Sequence, residues 1–100
     1  MAHLDFAGIN RAALAQIDLI LARWLPGGKR EGVEYVALNP RRPDRKPGSF
    51  KINTRTGAWG DFAVGAKGRD LISLAAYLFA LGQGEAARRL AGMLGINPYG

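Results

Sequence analysis

Positively charged side chains are the most chemically informative residues of this 100-residue chain. Between Lys29 and Arg69 lie ten Lys/Arg residues and four Asp/Glu residues. This stretch therefore carries the whole formal net charge of +6, and the rest of the chain is neutral. A concentrated basic segment favours a polyanionic partner, of which nucleic acid is the most common. The alternative is a solvated basic surface that keeps a small domain in solution.

Residue types that carry out catalysis or hold metals are scarce. The chain has no cysteine and a single histidine, His3, near its N-terminus. A cysteine nucleophile and a tetrahedral zinc site are therefore not available. The acids are dispersed along the chain, without the clustered carboxylates of a two-metal polymerase site or a pair for general acid–base catalysis. The sequence predicts no enzyme activity and no cofactor for this chain.

The hydrophobic pattern predicts a single α+β domain over residues 1–100, with a small antiparallel sheet of about three strands and helices on one face. A first helix is predicted at 10–25, with Asn10 as its N-cap. A β region follows at 32–64, and two further helices are predicted within 69–95. No apolar run approaches the roughly 20 residues that span a bilayer, so we expect a cytoplasmic protein without a membrane segment.

Three strands are predicted from residue alternation, and the last two form a hairpin closed by a turn at 55–57. Phe50 and Phe62 are expected in the core. A loop with three prolines and four cations separates the first two strands, because proline lacks the backbone donor that a central strand needs. A glycine-flanked loop is predicted at 65–68. The predicted strands lie at 32–38, 49–54 and 58–63.

Three stretches in the middle of the chain follow a family pattern. Residues 39–42 read Asn-Pro-Arg-Arg, residues 46–50 read Lys-Pro-Gly-Ser-Phe, and residues 59–68 read Trp-Gly-Asp-Phe-Ala-Val-Gly-Ala-Lys-Gly. In order and spacing they resemble the C-P-x-H, T-P-S-F (here with one inserted glycine) and C-F-G-C-G-x-x-G elements of the zinc-ribbon domain of bacterial and phage DNA primases. The similarity covers 35–96, including two trailing helices, and extends to primase–helicase-like proteins of mobile elements.

The resemblance implies a zinc-ribbon-like fold from which the metal has been lost. The family's four ligand positions fall on Asn39, Arg42, Asp61 and Val64. Structural zinc needs four thiolate or imidazole donors in a tetrahedron, which these residues do not provide. We expect Val64 to be buried where the family has a cysteine, and Arg42 to pair with Asp61 across the old site.

Apolar packing of the first helix onto the sheet is expected to replace the stabilising effect of the metal. Zinc contributes on the order of 10 kcal/mol to the folding of zinc-finger peptides. Burial of four large apolar side chains contributes roughly 6–10 kcal/mol before the entropy cost. The four side chains at helical spacing are Leu14, Ile17, Leu21 and Trp24.

The domain contacts single-stranded template in the primase family. The resemblance therefore implies a module that binds single-stranded DNA, or RNA, within a primase or primase–helicase-like replication protein. Such binding weakens steeply with salt. The alternative is a protein-interaction module that docks a primase, helicase, polymerase or host protein through an exposed apolar patch, with weak salt dependence. The third helix is the expected source of that patch, through Ala86, Ala87, Ala91 and Met93.

The predicted nucleic-acid site combines cations with one aromatic side chain. The cations would follow the phosphates, while Trp59 is the expected base-stacking platform and Tyr35 the second choice. A core position is the alternative for Trp59. The glycine loop could also bring backbone amides to a phosphate. The predicted site consists of Arg41, Arg42, Arg45, Lys46, Lys51, Arg55, Trp59, Lys67 and Arg69.

Overall fold

The computed structural model describes residues 3–43 and 48–100. These residues form helices at both ends of the chain and a sheet between them. The elements are, in order, α1 (Phe6–Leu14), α2 (Ile17–Trp24), β1 (Lys29–Glu31), β2 (Glu34–Ala37), β3 (Phe50–Asn53), β4 (Trp59–Asp61), β5 (Ala66–Gly68), α3 (Leu71–Phe79) and α4 (Gln83–Leu94).

The sheet is an antiparallel meander whose five strands are hydrogen-bonded in the order β1-β2-β3-β4-β5. Residues that face each other across neighbouring strands point to the same side of a sheet. One such row runs from Tyr35 through Ile52 to Trp59. These side chains belong to, or pack against, the same hydrophobic cluster as the buried residues of the helices. The helices therefore lie against this side of the sheet, which we call the inner face. The other side is the outer face.

The strand number corrects the prediction of about three strands. β2, β3 and β4 lie inside the predicted ranges, but β1 and β5 are additional edge strands. β1 reads Lys-Arg-Glu without an apolar residue, and β5 reads Ala-Lys-Gly within the stretch predicted as a loop. Neither shows the alternation of apolar and polar residues from which a strand is predicted. Each of these short edge strands is defined by its pairing with the neighbouring strand. The α+β class and the antiparallel arrangement are confirmed.

The N-terminal helical region is broken, where one helix was predicted. α1 ends at Leu14 and α2 begins at Ile17, yet the buried positions keep a helical spacing across the break, which is why the sequence suggests one helix. The N-cap is Asp5, whose carboxylate accepts a hydrogen bond from the Gly8 N–H at 3.0 Å. The predicted cap, Asn10, lies inside α1.

Asn10 joins α1 to α3 instead of capping a helix. Its Oδ1 accepts a hydrogen bond from the Ile72 N–H at 3.2 Å, which satisfies a free backbone donor in the first turn of α3. α1 packs chiefly against α3 and α4. The prediction that this region packs onto the sheet is therefore corrected for α1, which lies chiefly against the C-terminal helices. Ile17 and Leu21 are buried, whereas Leu14 and Trp24 are partly buried at the edge.

The two C-terminal helices agree with the prediction. Asp70 starts α3 through a capping box, in which its carboxylate accepts from the Ser73 N–H at 2.8 Å. Gly95 ends α4 in the left-handed conformation (φ 72°), which glycine adopts without steric cost. Among the described residues, no helix is long and apolar enough to cross a membrane.

Candidate nucleic-acid interface

Three of the four positions that the sequence resemblance assigns to zinc ligands form a polar cluster around the buried Asp61 carboxylate. Asp61 is 1% exposed. Its Oδ2 accepts hydrogen bonds from Asn39 Nδ2 at 2.8 Å and from Arg42 Nε at 2.9 Å. Asn39 Nδ2 also donates to the Tyr77 hydroxyl of α3, and Arg42 Nη2 donates to Ser49 Oγ at 2.6 Å. The predicted pairing of Arg42 with Asp61 is confirmed, and the cluster connects the loop after β2 to β4 and α3.

The protonation of Asp61 is set by this cluster. Burial by itself raises the pKa of the Asp61 carboxyl group. Hydrogen bonds from Arg42, Asn39, the Ala63 N–H and Ser49 together lower the pKa by more than burial raises it, so the pKa lies well below its ordinary value. Asp61 is therefore a carboxylate at neutral pH, and the Arg42 guanidinium compensates its charge. A buried carboxylate is retained in a protein when it is both paired and hydrogen-bonded, as here.

The cluster does not fit a zinc ion. The Asp61 carboxylate is already engaged by the positive charge of Arg42, which would repel a metal cation. Val64 is 55% exposed, so the expectation that it is buried is wrong. The turn containing it is held by backbone bonds, since the N–H groups of Val64 and Gly65 both donate to the Asp61 carbonyl. Within the described residues there is no group of three His, Cys, Asp or Glu that could hold a metal.

Trp59 lies in the core, which corrects its predicted role as a base platform. It is 7% exposed, and its Nε1 donates to Ser73 Oγ at 3.0 Å. Its ring centroid lies 6.3 Å from that of Phe50 and 5.0 Å from that of Tyr77. The second choice, Tyr35, is half-buried and donates its hydroxyl to the Leu25 carbonyl. Trp59 is buried and Tyr35 lies in the inward row of the sheet, so neither ring is on the outer face.

Phe62 takes the opposite position from the one predicted. It is 80% exposed at the end of β4. The reason is the phase of this strand: Trp59 and Asp61 face inward, so the alternation turns the residues between and after them outward. Shifting the phase of a strand by one residue exchanges its two faces. The buried Asp61 was the misleading feature, because a charged residue is normally assigned to the solvent side.

The strand register places three lysines in one row on the outer face. Lys29 is opposite Val36, Val36 is opposite Lys51, Lys51 is opposite Gly60, and Gly60 is opposite Lys67. Val36 lies outside the hydrophobic core cluster, although neighbouring side chains leave it only 4% exposed. Successive lysines are two strands apart, a separation of about 10 Å at the backbone. We call Lys29, Lys51 and Lys67 the lysine row. Lys51 and Lys67 were predicted, whereas Lys29 was missed because it lies in the unpredicted strand β1.

The row next to these lysines is acidic. Glu31 is opposite Glu34, and Glu34 is opposite Asn53. Lys51 Nζ lies 3.9 Å from Glu34 Oε1, a long contact between partly exposed groups. The outer face is therefore asymmetric. Its acidic row lies toward the β1–β2 turn, and the lysine row lies on the side of Phe62.

The other predicted cations are distributed around this face. Arg41 donates a hydrogen bond to the Tyr77 carbonyl, and its guanidinium lies 5.2 Å from the centre of the Tyr77 ring, so it rests against α3. Arg42 belongs to the buried cluster. Arg55 and Arg69 are exposed outside the row, in the β3–β4 turn and just after β5. The remaining two predicted cations, Arg45 and Lys46, lie outside the described residues.

The fold and this site describe a small α+β domain with a basic outer sheet face. Among solved structures, the chain is similar to the "Crystal Structure of the Aquifex aeolicus primase (Zinc Binding and RNA Polymerase Domains)". The match has a TM-score of 0.76 and 25% sequence identity, and it covers 95% of this chain but 22% of that chain. No protein-family model and no curated protein matches the sequence.

The structural match supports the predicted likeness to a primase zinc-ribbon-like domain. It also supports a replication-related nucleic-acid-binding module in general terms. This chain spans less than a quarter of the length of the primase that it matches.

Proposed function

We propose that this chain is a non-catalytic module that binds single-stranded DNA, as part of a primase or primase–helicase-like replication protein of a phage or mobile element. The observation that carries the proposal is the lysine row on the outer sheet face beside the exposed ring of Phe62. Proteins hold single strands by combining cations that follow the phosphates with aromatic rings that stack on the bases. Here both occur together on one open face.

The charge asymmetry of the outer face gives the strand a path. Glu31 and Glu34 repel phosphates at the β1–β2 end, so the backbone would cross the sheet along Lys29, Lys51 and Lys67. A base could then stack on Phe62. Gly60 lies between Lys51 and Lys67 in this row and has no side chain. The nucleic-acid strand can therefore approach the backbone of β4 at this point. Arg55 and Arg69 add positive charge at the periphery.

The first test is the salt dependence of binding, measured as the fluorescence anisotropy of a labelled single-stranded oligonucleotide. Three phosphate contacts correspond to a slope of about −2 in a plot of log affinity against log salt concentration. The same titration with single-stranded RNA establishes the preferred strand type. No binding at low salt, or an affinity that does not change with salt, would contradict the proposal.

Charge reversal locates the site. We expect Lys29→Glu with Lys67→Glu to weaken binding at least about tenfold and to make the salt slope shallower by about 1.4. The control is Arg11→Glu with Arg88→Glu, which changes the net charge equally but alters exposed residues of α1 and α4. If both double variants weaken binding to the same extent, the chain binds through its overall charge and the lysine row is not the site.

The contribution of Phe62 is tested separately. Phe62→Ala should leave stability unchanged, because the side chain is 80% exposed. It should weaken single-strand binding by about 1–3 kcal/mol, the usual contribution of one stacked base. Phe6→Ala, at an exposed phenylalanine of α1, serves as the control. Equal affinities for the two variants would remove Phe62 from the interface.

A further inference from the structure

An apolar surface lies on the helical side of the molecule, away from the outer sheet face. One hollow, with a volume of about 200 Å³, is lined mainly by apolar side chains of α2, the end of α3 and α4, including Trp24, Phe79 and Met93. A second hollow, of about 360 Å³, is lined by Leu19 and Ile20 of α2 together with Met93 and Leu94 of α4. Met93 lines both, so the two hollows adjoin and form one surface, which we call the helical groove.

The apolar side chains of the helical groove are exposed to an unusual degree. Leu19 is 71% exposed, Phe79 50% and Met93 37%. The rings of Phe79 and Trp24 pack edge to face, with their centroids 5.6 Å apart, so they form a fixed aromatic pair in the lining of the groove. Clustered exposed apolar side chains, unlike isolated ones, mark surfaces that bind a partner. The third helix predicted from the sequence corresponds to α4. The predicted apolar patch on it is correct for Met93, which is exposed, but Ala86, Ala87 and Ala91 are buried.

The charges of the groove indicate the chemistry of that partner. Its charged lining residues are Arg23 in one hollow and Arg89 in the other, and neither hollow has a carboxylate in its lining. The nearby Glu85 is shared by Arg88 and Arg89, so this group keeps a net positive charge. A second copy of this chain would bring its own arginines to the same rim, and like charges would oppose the contact.

We propose that the helical groove binds an acidic amphipathic helix of another protein. The apolar side of that helix would contact Leu19, Phe79 and Met93, and its carboxylates would pair with Arg23 and Arg89. A helix laid into an apolar groove is a recurrent mode of peptide recognition, with anchors spaced three and four residues apart. Because no lining residue of the groove belongs to the sheet, the domain can hold a single strand of nucleic acid and a protein partner at the same time.

The test uses the full chain and two synthetic 15-residue helical peptides with the same leucine positions. One peptide carries glutamates on its polar side and the other carries lysines. Binding is followed by the anisotropy of the labelled peptide and by the fluorescence of Trp24, which lines the groove, whereas Trp59 is buried. We expect the acidic peptide to bind at least tenfold more tightly than the basic one. Equal binding of both peptides, or no binding of the acidic peptide, overturns the proposal.

Three variants locate the peptide site. Leu19→Ser and Phe79→Ser should each weaken binding of the acidic peptide at least tenfold, and both side chains are sufficiently exposed for the fold to be retained. Arg23→Glu should narrow or reverse the preference for the acidic peptide. Lys67→Glu on the sheet should leave peptide binding unchanged, and unchanged peptide affinity in both serine variants would overturn the proposal.

The proposals for the two sites can be tested independently. Leu19→Ser and Phe79→Ser do not change the charge, so they should leave the affinity for single-stranded DNA unchanged. Sedimentation analysis tests whether a second copy of this chain occupies the groove. If the chain forms a dimer that Phe79→Ser dissociates, the groove is a contact between copies of this chain, and the proposal of an acidic partner is wrong.

Discussion

Asp61, which the sequence resemblance places at a zinc-ligand position, is held by hydrogen bonds and an ion pair. Its buried carboxylate accepts hydrogen bonds from Arg42 and Asn39, which the resemblance also assigns to ligand positions. Through Asn39 the same cluster reaches the Tyr77 hydroxyl on α3. The side chains thus connect the loop after β2 to β4 and α3 by hydrogen bonds and one ion pair.

Removal of the Asp61 charge should destabilise the protein. In Asp61→Asn the ion pair between the Arg42 guanidinium and the buried Asp61 carboxylate is lost, and we expect a loss of about 3 kcal/mol in the free energy of unfolding. Asp18→Asn is the control, because Asp18 pairs with Arg30 at the surface and such pairs contribute at most about 1 kcal/mol. Urea denaturation at neutral pH measures both variants. Similar losses for the two would show that the buried cluster does not stabilise the fold.

The lowered pKa of Asp61 predicts acid sensitivity. A carboxyl group with a lower pKa in the folded protein stabilises the fold above its unfolded pKa of about 3.9, and this contribution is lost as the pH falls from there toward the folded pKa. The free energy of unfolding of the natural sequence should therefore decrease below about pH 4. The decrease should be shallower in Asp61→Asn. Glu85, whose pKa is also lowered by Arg89 and Arg88, is present in both proteins, so the difference between the two pH profiles isolates Asp61.

At the scale of elements, the edge strand β5 is positioned by close contact with β4 and α3. A Cβ atom at Gly68 would collide with Ser73 Oγ and with Trp59 Nε1, the two groups that hydrogen-bond to each other. Gly68 is therefore required by the close approach of these elements. Lys67, the last member of the lysine row, precedes it directly, so the packing of β5 also positions a residue of the proposed interface.

Substitution of Gly68 should separate β5 from α3. Gly68→Ala is expected to lower the free energy of unfolding by about 1–3 kcal/mol, the usual cost of overpacking. Gly60→Ala in the neighbouring strand is the matched control, because its Cβ would meet the Ala66 carbonyl oxygen at an ordinary 3.5 Å. Thermal unfolding compares the two. If Gly68→Ala is no less stable than Gly60→Ala, the contact between β5 and α3 is looser than described.

At the scale of the whole molecule, one hydrophobic core separates two surfaces of different chemistry. The apolar inward side chains of the sheet and the buried sides of α1, α2, α3 and α4 belong to one hydrophobic cluster. The sheet turns a charged face outward, while the helical side presents the apolar groove.

A metal chelator should have no effect on the stability of this protein. Structural zinc contributes on the order of 10 kcal/mol to small metal-dependent domains, which therefore unfold when it is removed. Here the melting temperature should be the same with and without EDTA, and elemental analysis of the purified protein should find no stoichiometric zinc. A lower melting temperature in EDTA would contradict a metal-independent core.

The sequence by itself determined the fold class, the C-terminal helices, the central β3–β4 hairpin and the basic character of the sheet region. These follow from local properties: apolar periodicity, glycine and proline at turns, and the placement of charge along the chain. The likeness to primase zinc ribbons also came from spacing along the sequence, and the structural match supports it at the level of the fold.

The tertiary structure decided the matters that depend on pairing between distant segments. The edge strands β1 and β5 exist because neighbouring strands offer them hydrogen bonds, and the phase of β4 depends on the burial of Asp61 against Arg42. That phase turned Trp59 inward and Phe62 outward, and the register aligned Lys29 with Lys51 and Lys67. Sequence patterns record which residues prefer burial, but which face of a strand is buried depends on the partners that only the folded chain brings together.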